Sequence, residues 1–592
     1  MVNAKVKETL SKVLFTAAAI ICIVAVVTIF VFIVAKSIPA LSKIGVFDFI
    51  FGDVWRPDKE DVYDQAINGK YGILPMIVGS IFSTVGAIIV GGVLGFFTAV
   101  FLARFSSPKV KKIFGTVINL LAGIPSVVYG FFGMYVMIPL FSGISPTADG
   151  SGLLVTSLVL GIMILPTVVA LSKTSLEAVP QSYYEGARAL GATHEQAVFR
   201  TVVPAAKSGI TASVILGVGR AIGETMAVIM IAGNSPEYPD GLFGSFRTLT
   251  ANIVLEMGYA GEVQMGALLS TGVILLIFIA IINLLFGLVM SDRKQHGSGR
   301  RHLREIKYDF SKAGKVLSWV TAGIVAVVLV LIIGFVFIKG IPHITPQLLF
   351  SDYKYGGEPS IGPAIVATLM LIVISILIAV PLGIATAVYL NEYTRRGSRM
   401  VKIVRSAIDV LSGIPSIVYG LFGALTFVVW FGNTTSILAG GFTVSIMLLP
   451  VVVRSTEESL KSVPDSFREG SLALGAGKVR TIFKVVLPSA LPGIFSAIIL
   501  AVGRVVSETA PLIWTMGSVI QPMPTGFLGG GATLAVALYA LSNEYRYMNE
   551  AYATACVLMI IVLALNTAAG IIASRLQRKL QGEKNVKRKK RY

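Results

Sequence analysis

The sequence predicts an all-α membrane protein of about twelve transmembrane helices, built as two parallel six-helix repeats with both termini cytoplasmic. Three observations carry this. The 592 residues are 55% hydrophobic and only 14% charged, with a mean hydropathy of +0.80, whereas soluble domains carry roughly a quarter charged residues. A helix crosses a bilayer with about 20 apolar residues. Runs of that order fall near 13–35, 73–103, 113–141, 152–172, 205–233 and 265–290, and again near 316–338, 361–391, 403–431, 433–453, 489–517 and 552–574. Finally, the two sets repeat one another. Ile118 to Gly133 (INLLAGIPSVVYGFFG) matches Ile408 to Gly423 (IDVLSGIPSIVYGLFG) at 11 of 16 positions, and internal repeats of this kind define architecture.

The elements follow in order. Lys5, Lys7 and Lys12 precede the run Val13 to Ala35, which is too long for a secretory apolar core and has no small-residue cleavage pattern. It is read as an uncleaved first span. The first half covers 1–290. A basic cytoplasmic linker follows at 291–315, with Arg293, Lys294, Arg300, Arg301, Arg304 and Lys307. The second half covers 316–576, and a basic tail occupies 577–592. Several runs exceed one straight crossing, so tilts or breaks are expected within them.

Orientation comes from the loops. With the N-terminus inside, the loops 104–112, 172–204, the linker, 392–402, 454–488 and the tail are all cytoplasmic, and each is rich in Lys or Arg. The opposite-side segment 36–70 instead carries Asp48, Asp53, Asp58, Glu60, Asp61 and Asp64. This is the positive-inside pattern. Six spans per repeat is an even number, so the halves share one orientation about a pseudo-two-fold axis along the membrane normal. A pathway on that axis would be lined by equivalent residues of both halves.

Composition also excludes. The 50 Lys and Arg against 31 Asp and Glu give a formal charge of +19, which here reflects cytoplasmic loops at an anionic membrane surface rather than nucleic acid. Cys22 and Cys556 lie inside apolar runs, and His194, His296, His302 and His343 are scattered. Neither a disulfide framework nor a metal site is expected. No P-loop is present: Gly477-Lys478 is followed by Val479, and Asn68-Gly69-Lys70 fails similarly. No catalytic residue set is found, so ATP and Mg are not expected on this chain.

Three motifs remain, each present twice. The loops Glu185 to Pro204 (EGARALGATHEQAVFRTVVP) and Glu469 to Pro488 (EGSLALGAGKVRTIFKVVLP) each read as a short helix, a glycine break at Gly191 or Gly475, and a second short helix. Next, Arg220 with Glu224 and Arg504 with Glu508 lie 16 to 20 residues beyond the proline that opens each fifth run, roughly 24 to 30 Å along a helix. At spacing i, i+4 they share a helix face and can pair. The arginine fork suits an oxyanion, and intramembrane charge marks a functional candidate; a self-satisfied structural ion pair is the other reading. Last, Gly-Ile-Pro-Ser at Gly123 to Ser126 and Gly413 to Ser416 predicts a kinked or broken third helix. Ser126 and Ser416 then offer hydroxyls to an anion, or the site is only a packing kink. Tyr129 and Tyr419, three residues on, are read as packing residues.

The paired coupling loops, which depart from the usual pattern at Gly186 and Gly470, together with the paired GIPS-x-V-Y-G and G-R-x-x-x-E-T segments, resemble the permeases of phosphate-specific ABC importers. Residues 1–290 look like one permease subunit and 308–592 like its partner, joined in one chain. The resemblance implies a type I importer permease fold in a prokaryotic cell membrane. It implies two copies of a cytoplasmic ATPase, carrying ATP and Mg, docked on loops marked by Glu185, Gly191, Glu469 and Gly475. It also implies an extracytoplasmic phosphate-binding protein, inorganic phosphate as cargo, and a substrate pathway through Arg220, Glu224, Arg504, Glu508, Ser126 and Ser416. Three alternatives stay open at this point. They are a permease for another oxyanion such as sulfate or molybdate, a proton-coupled secondary transporter, and a membrane scaffold or sensor.

Overall fold

The computed structural model describes residues 2–57, 69–145, 150–291, 310–353, 359–394 and 398–580. The basic residues expected in the linker, Asp58, Glu60, Asp61 and Asp64 of the segment 36–70, and the tail from 581 lie outside the described residues. Within them the chain is almost wholly helical. The strands are Trp55–Arg56 and Lys70–Tyr71, an antiparallel pair in which the Trp55 and Tyr71 rings meet edge to face. In lipid a helix satisfies every backbone N–H and C=O internally. Among the described residues nine helices are long and apolar enough to cross a membrane, or ten if His194–Ala205 and Lys207–Ile222, bent by 68°, form one span.

Two predicted spans differ from single crossings. The runs 113–141 and 403–431 divide at the GIPS motif. Pro108–Ala122 is followed by Ser126–Phe132, and Arg399–Gly413 by Ser416–Gly423. Pro125 and Pro415 take extended backbone angles, φ −60 and ψ 143 and φ −59 and ψ 145, because proline has no N–H for the helix ladder and its ring clashes with the preceding turn. The pieces before each break carry Lys109, Lys111 and Lys112, or Arg399, Lys402 and Arg405. The apolar helices begin only after the proline, as Ser126–Ser142 and Ser416–Val428.

The chain forms two compact units, one of residues 1–35 with 342–592 and the other of 36–341. Each unit therefore takes in the first helix of the opposite repeat. In the first of these, Phe15 joins a cluster with Ala387, Val388, Val404 and Val486, and its ring meets those of Tyr393 and Phe483. Cys22 Sγ lies 3.2 Å from Thr386 Oγ1, both buried. In the second, the helix Ser311–Gly340 packs Trp319 on Phe101 and Phe335 on Phe132. There the helices around Gly91 and Gly161 nearly touch: a Cβ on Gly91 would strike the Gly161 carbonyl, the close backbone approach that small residues permit in membranes.

The repeat extends to tertiary backbone hydrogen bonds. Gly152 N donates to Ile231 O and Phe246 N to Ala232 O; their counterparts are Ser436 N to Thr515 O and Gly531 N to Met516 O. This fixes the register of the two halves residue by residue.

Candidate functional site

The fifth run of each half breaks at its charged motif. Lys207–Ile222 ends before Gly223, and a second short helix starts at Met226; Leu487–Ser507 ends before Glu508, and the next helix starts at Ala510. The two arginines thus occupy the last turn of one helix and the two acids sit in the gap. The expected shared helix face does not extend to the acids, because the helix stops first. The short helices after each break pack tightly on those after the GIPS prolines: a Cβ on Gly130 would lie 2.9 Å from Ala227 Cα, and one on Gly420 2.8 Å from Pro511 Cα.

The two halves arrange the same charges differently. Arg504 Nε pairs with Glu508 Oε1 at 3.3 Å. Arg220 instead donates from Nη1 to Thr167 Oγ1 at 3.3 Å, and among the described residues it forms no ion pair with Glu224. Glu224 Oε1 accepts from Ala227 N at 3.2 Å. The repeat register explains the contrast. Thr167 corresponds to Val451, which offers Arg504 no acceptor, and Ala227 corresponds to Pro511, which offers Glu508 no N–H. Arg504 and Glu508 pair with one another. Arg504 keeps 38% of its side chain exposed.

Ser126 and Ser416 each stand at the start of the helix that follows the GIPS proline. Tyr129 and Tyr419 are buried, and their hydroxyls donate to Leu121 O at 3.0 Å and Leu411 O at 2.7 Å. Those carbonyls lie four residues before Pro125 and Pro415, where a helical N–H would otherwise bond. Each tyrosine closes the break its proline opens.

Both loops at 185–204 and 469–488 form helix, glycine, helix. Gln181–Ala189 and Asp465–Ala473 end at Gly191 (φ +86) and Gly475 (φ +79), which adopt the left-handed region open to glycine. Glu185 and Glu469 are exposed. The tip also carries Leu190 and Leu474, each 90% exposed, with Tyr183 and Phe467 about half exposed. Sequence reading missed these apolar tips, although Ala-Leu-Gly-Ala occurs in both repeats.

The anchors of the two loops differ as well. In the first, His194 Nδ1 meets Tyr184 Oη at 2.7 Å, Nε2 meets Arg104 O at 3.2 Å, and Lys315 Nζ bonds Glu195 at 2.8 Å. That ammonium holds the Glu195 carboxyl well below the usual carboxylate range, at about 2. In the second, Arg468 binds Glu392 at 2.9 Å and Asp465 at 3.2 Å, and Lys478 lies over the Tyr393 ring.

A repeated, polytopic helical bundle with broken charged helices and exposed helix–glycine–helix loops is a membrane transport permease. The chain belongs to the family described as the binding-protein-dependent transport system inner membrane component, matched twice, at residues 91–295 and 379–582. It is 30% identical to the "Phosphate transport system permease protein PstA homolog" of Mycoplasma pneumoniae, over 75% of this chain and 77% of that protein. It is 36% identical to the "Probable ABC transporter permease protein YqgH" of Bacillus subtilis, over 49% of this chain and 94% of that protein. With the "Phosphate transport system permease protein PstC" of Pasteurella multocida it shares 31% identity over 45% of this chain and 90% of that protein.

Proposed function

We propose that this chain is the membrane-spanning part of an ATP-driven importer of inorganic phosphate, with two permease subunits of the relatives' kind joined in one polypeptide. The observation that carries the reading is the pair of broken helices, each ending in an arginine beside an acid: Arg220 with Glu224 and Arg504 with Glu508. Phosphate as cargo is supported by the names of the relatives and by the fit of guanidinium forks to an oxyanion. The ten spans and the two short apolar helices after the GIPS breaks make up the twelve crossings, with both termini in the cytosol. The family's partners complete the machine: two cytoplasmic ATPases, where ATP and Mg act, and an external phosphate-binding protein. ATP-driven movement of the loops at Gly191 and Gly475 would alternate the access of the charged sites. Ser126 and Ser416 would assist at the pathway.

Proteoliposomes holding this chain with the purified ATPase and binding protein test the proposal. ATP-dependent phosphate uptake that is lost when any component is omitted is the expected result. Uptake that persists without the ATPase and collapses with proton uncouplers would refute it, and uptake of sulfate or molybdate in place of phosphate would reassign the cargo.

The unlike wiring of the two halves gives a second expectation. Glu508→Gln removes the acid that competes for Arg504, so bound phosphate should be held more tightly and turnover should fall. Glu224→Gln leaves Arg220 on Thr167 and keeps an acceptor for Ala227 N, so its effect should be smaller. Phosphate retention and turnover in the two variants measure this; equal losses of affinity would show that both acids support the site alike.

A further inference from the structure

A second charged cluster lies in the first half beyond the break. Arg247 precedes the helix Leu249–Glu256, and its side chain is 12% exposed. Its Nε donates to Asn234 O at 2.9 Å. Its Nη1 donates to Asn252 Oδ1 at 3.0 Å and to Glu256 Oε1 at 2.6 Å. Gln264 Nε2 holds the other carboxylate oxygen, Oε2, at 2.8 Å. Two donors are left over. Arg247 Nη2 makes no hydrogen bond among the described residues, and the fully buried Asn252 has an unpaired Nδ2. A buried amide donor without a partner is costly and calls for an explanation.

The second half supplies an internal control. Phe246 N to Ala232 O corresponds to Gly531 N to Met516 O, and Leu249 N to Ser80 Oγ corresponds to Leu534 N to Thr368 Oγ1, both at 3.0 Å in the latter pair. Arg247, Asn252 and Glu256 thereby correspond to Ala532, Ala537 and Leu541, all buried. The same architecture is built with three apolar side chains. The fold does not require the charges, and an apolar replacement of a buried ion pair is often no less stable. Arg247 and Glu256 lie between the runs 205–233 and 265–290, and partly buried charges that the fold does not need there point to ligand contact.

Asn234, which accepts from Arg247, follows the six-residue helix Met226–Ile231 that starts just past Glu224. That helix alone spans about 9 Å, while Thr250, on the helix that carries Asn252 and Glu256, donates to Glu224 O at 2.9 Å, so the cluster adjoins the charged break and extends from it. We infer that Arg247, Asn252 and Glu256 form a further phosphate-binding station, unique to the first half and selective for a protonated oxyanion. This rests on the phosphate reading above. Arg247 Nη2 and Asn252 Nδ2 donate to phosphate oxygens, while Glu256, whose oxygens keep further lone pairs, accepts from the P–OH. Phosphate carries such a proton near neutral pH and sulfate does not, so the acid favours phosphate over sulfate.

The test borrows the second half's residues. In proteoliposomes supplied with saturating loaded binding protein, the triple variant Arg247→Ala, Asn252→Ala, Glu256→Leu should assemble and hydrolyse ATP. Its phosphate turnover should fall about tenfold or more, the loss expected for charge-assisted donors. The exchange Arg247→Glu with Glu256→Arg restores an ion pair but not the station, and should stay impaired. Separately, the isosteric Glu256→Gln, measured as phosphate binding to the purified permease–ATPase complex with sulfate as competitor, should narrow the preference for phosphate about tenfold. Wild-type turnover in the triple variant, recovery in the exchange, or an unchanged preference in Glu256→Gln would overturn the station. Failure of the wild-type complex to import phosphate in the same vesicles would instead overturn the cargo assignment.

Discussion

Replacing Arg220 or Arg504 by glutamine should reduce phosphate uptake at least about 100-fold while the complex still assembles. Each arginine ends a helix whose length from the loop is roughly 20 Å or more, deep enough that an unneeded charge would be costly. Two charge-assisted hydrogen bonds to an oxyanion are worth about 3 kcal/mol or more together, and each 1.36 kcal/mol is about tenfold in rate. Folding should survive, since neither side chain is fully buried and Arg220 is held by a single hydroxyl. Lysine should restore only part of the uptake, because a point charge cannot reproduce the planar fork. Uptake at wild-type rate in both glutamine variants would show that these charges are structural. Loss in Arg504→Gln alone would place the anion on the half whose arginine is ion-paired with its acid.

Much of this was legible from the residues. Hydropathy located the helices because lipid leaves the backbone no other solution, and Pro125 and Pro415 announced breaks that the structure contains. The asymmetry of the charged sites was legible only in part. The motif itself differs at Gly223 against Ser507, but the deciding differences are Thr167 against Val451 and Ala227 against Pro511, residues distant in sequence or beyond the motif. Comparing the repeats position by position would have exposed both. The stop of the helix before Glu224 and Glu508 was hidden because apolar residues continue on either side, so the run reads as one span. The exchange of first helices between compact units leaves no local trace: the residues that decide it, such as Phe15 and Trp319, sit in ordinary apolar runs. Arg247 and Glu256 escaped notice for the opposite reason, since single charges in a loop and at a helix end carry no motif.

Exchanging Gly191 or Gly475 for valine should uncouple ATP hydrolysis from uptake or strip the ATPase from the complex, with the membrane bundle intact. Both glycines hold positive φ, +86 and +79, where a β-branched residue costs about 1–3 kcal/mol. No atom lies within 4 Å of a Cβ built on either one. A packing clash is therefore not available to explain a defect; the backbone must change. What changes is the angle between Gln181–Ala189 and the helix at His194, or between Asp465–Ala473 and Lys478–Thr481. With it moves the exposed tip of Glu185 and Leu190, or of Glu469 and Leu474. Asparagine, which tolerates the left-handed region, should retain most coupling at the same positions, and this comparison separates backbone geometry from side-chain size. The tip leucines provide an independent check, because Leu190→Ala and Leu474→Ala leave the backbone alone yet remove apolar surface from the docking face. Unaltered ATPase stoichiometry and coupling ratio in both valine variants would show that the loops do not transmit the ATPase stroke, whatever the fate of the arginines.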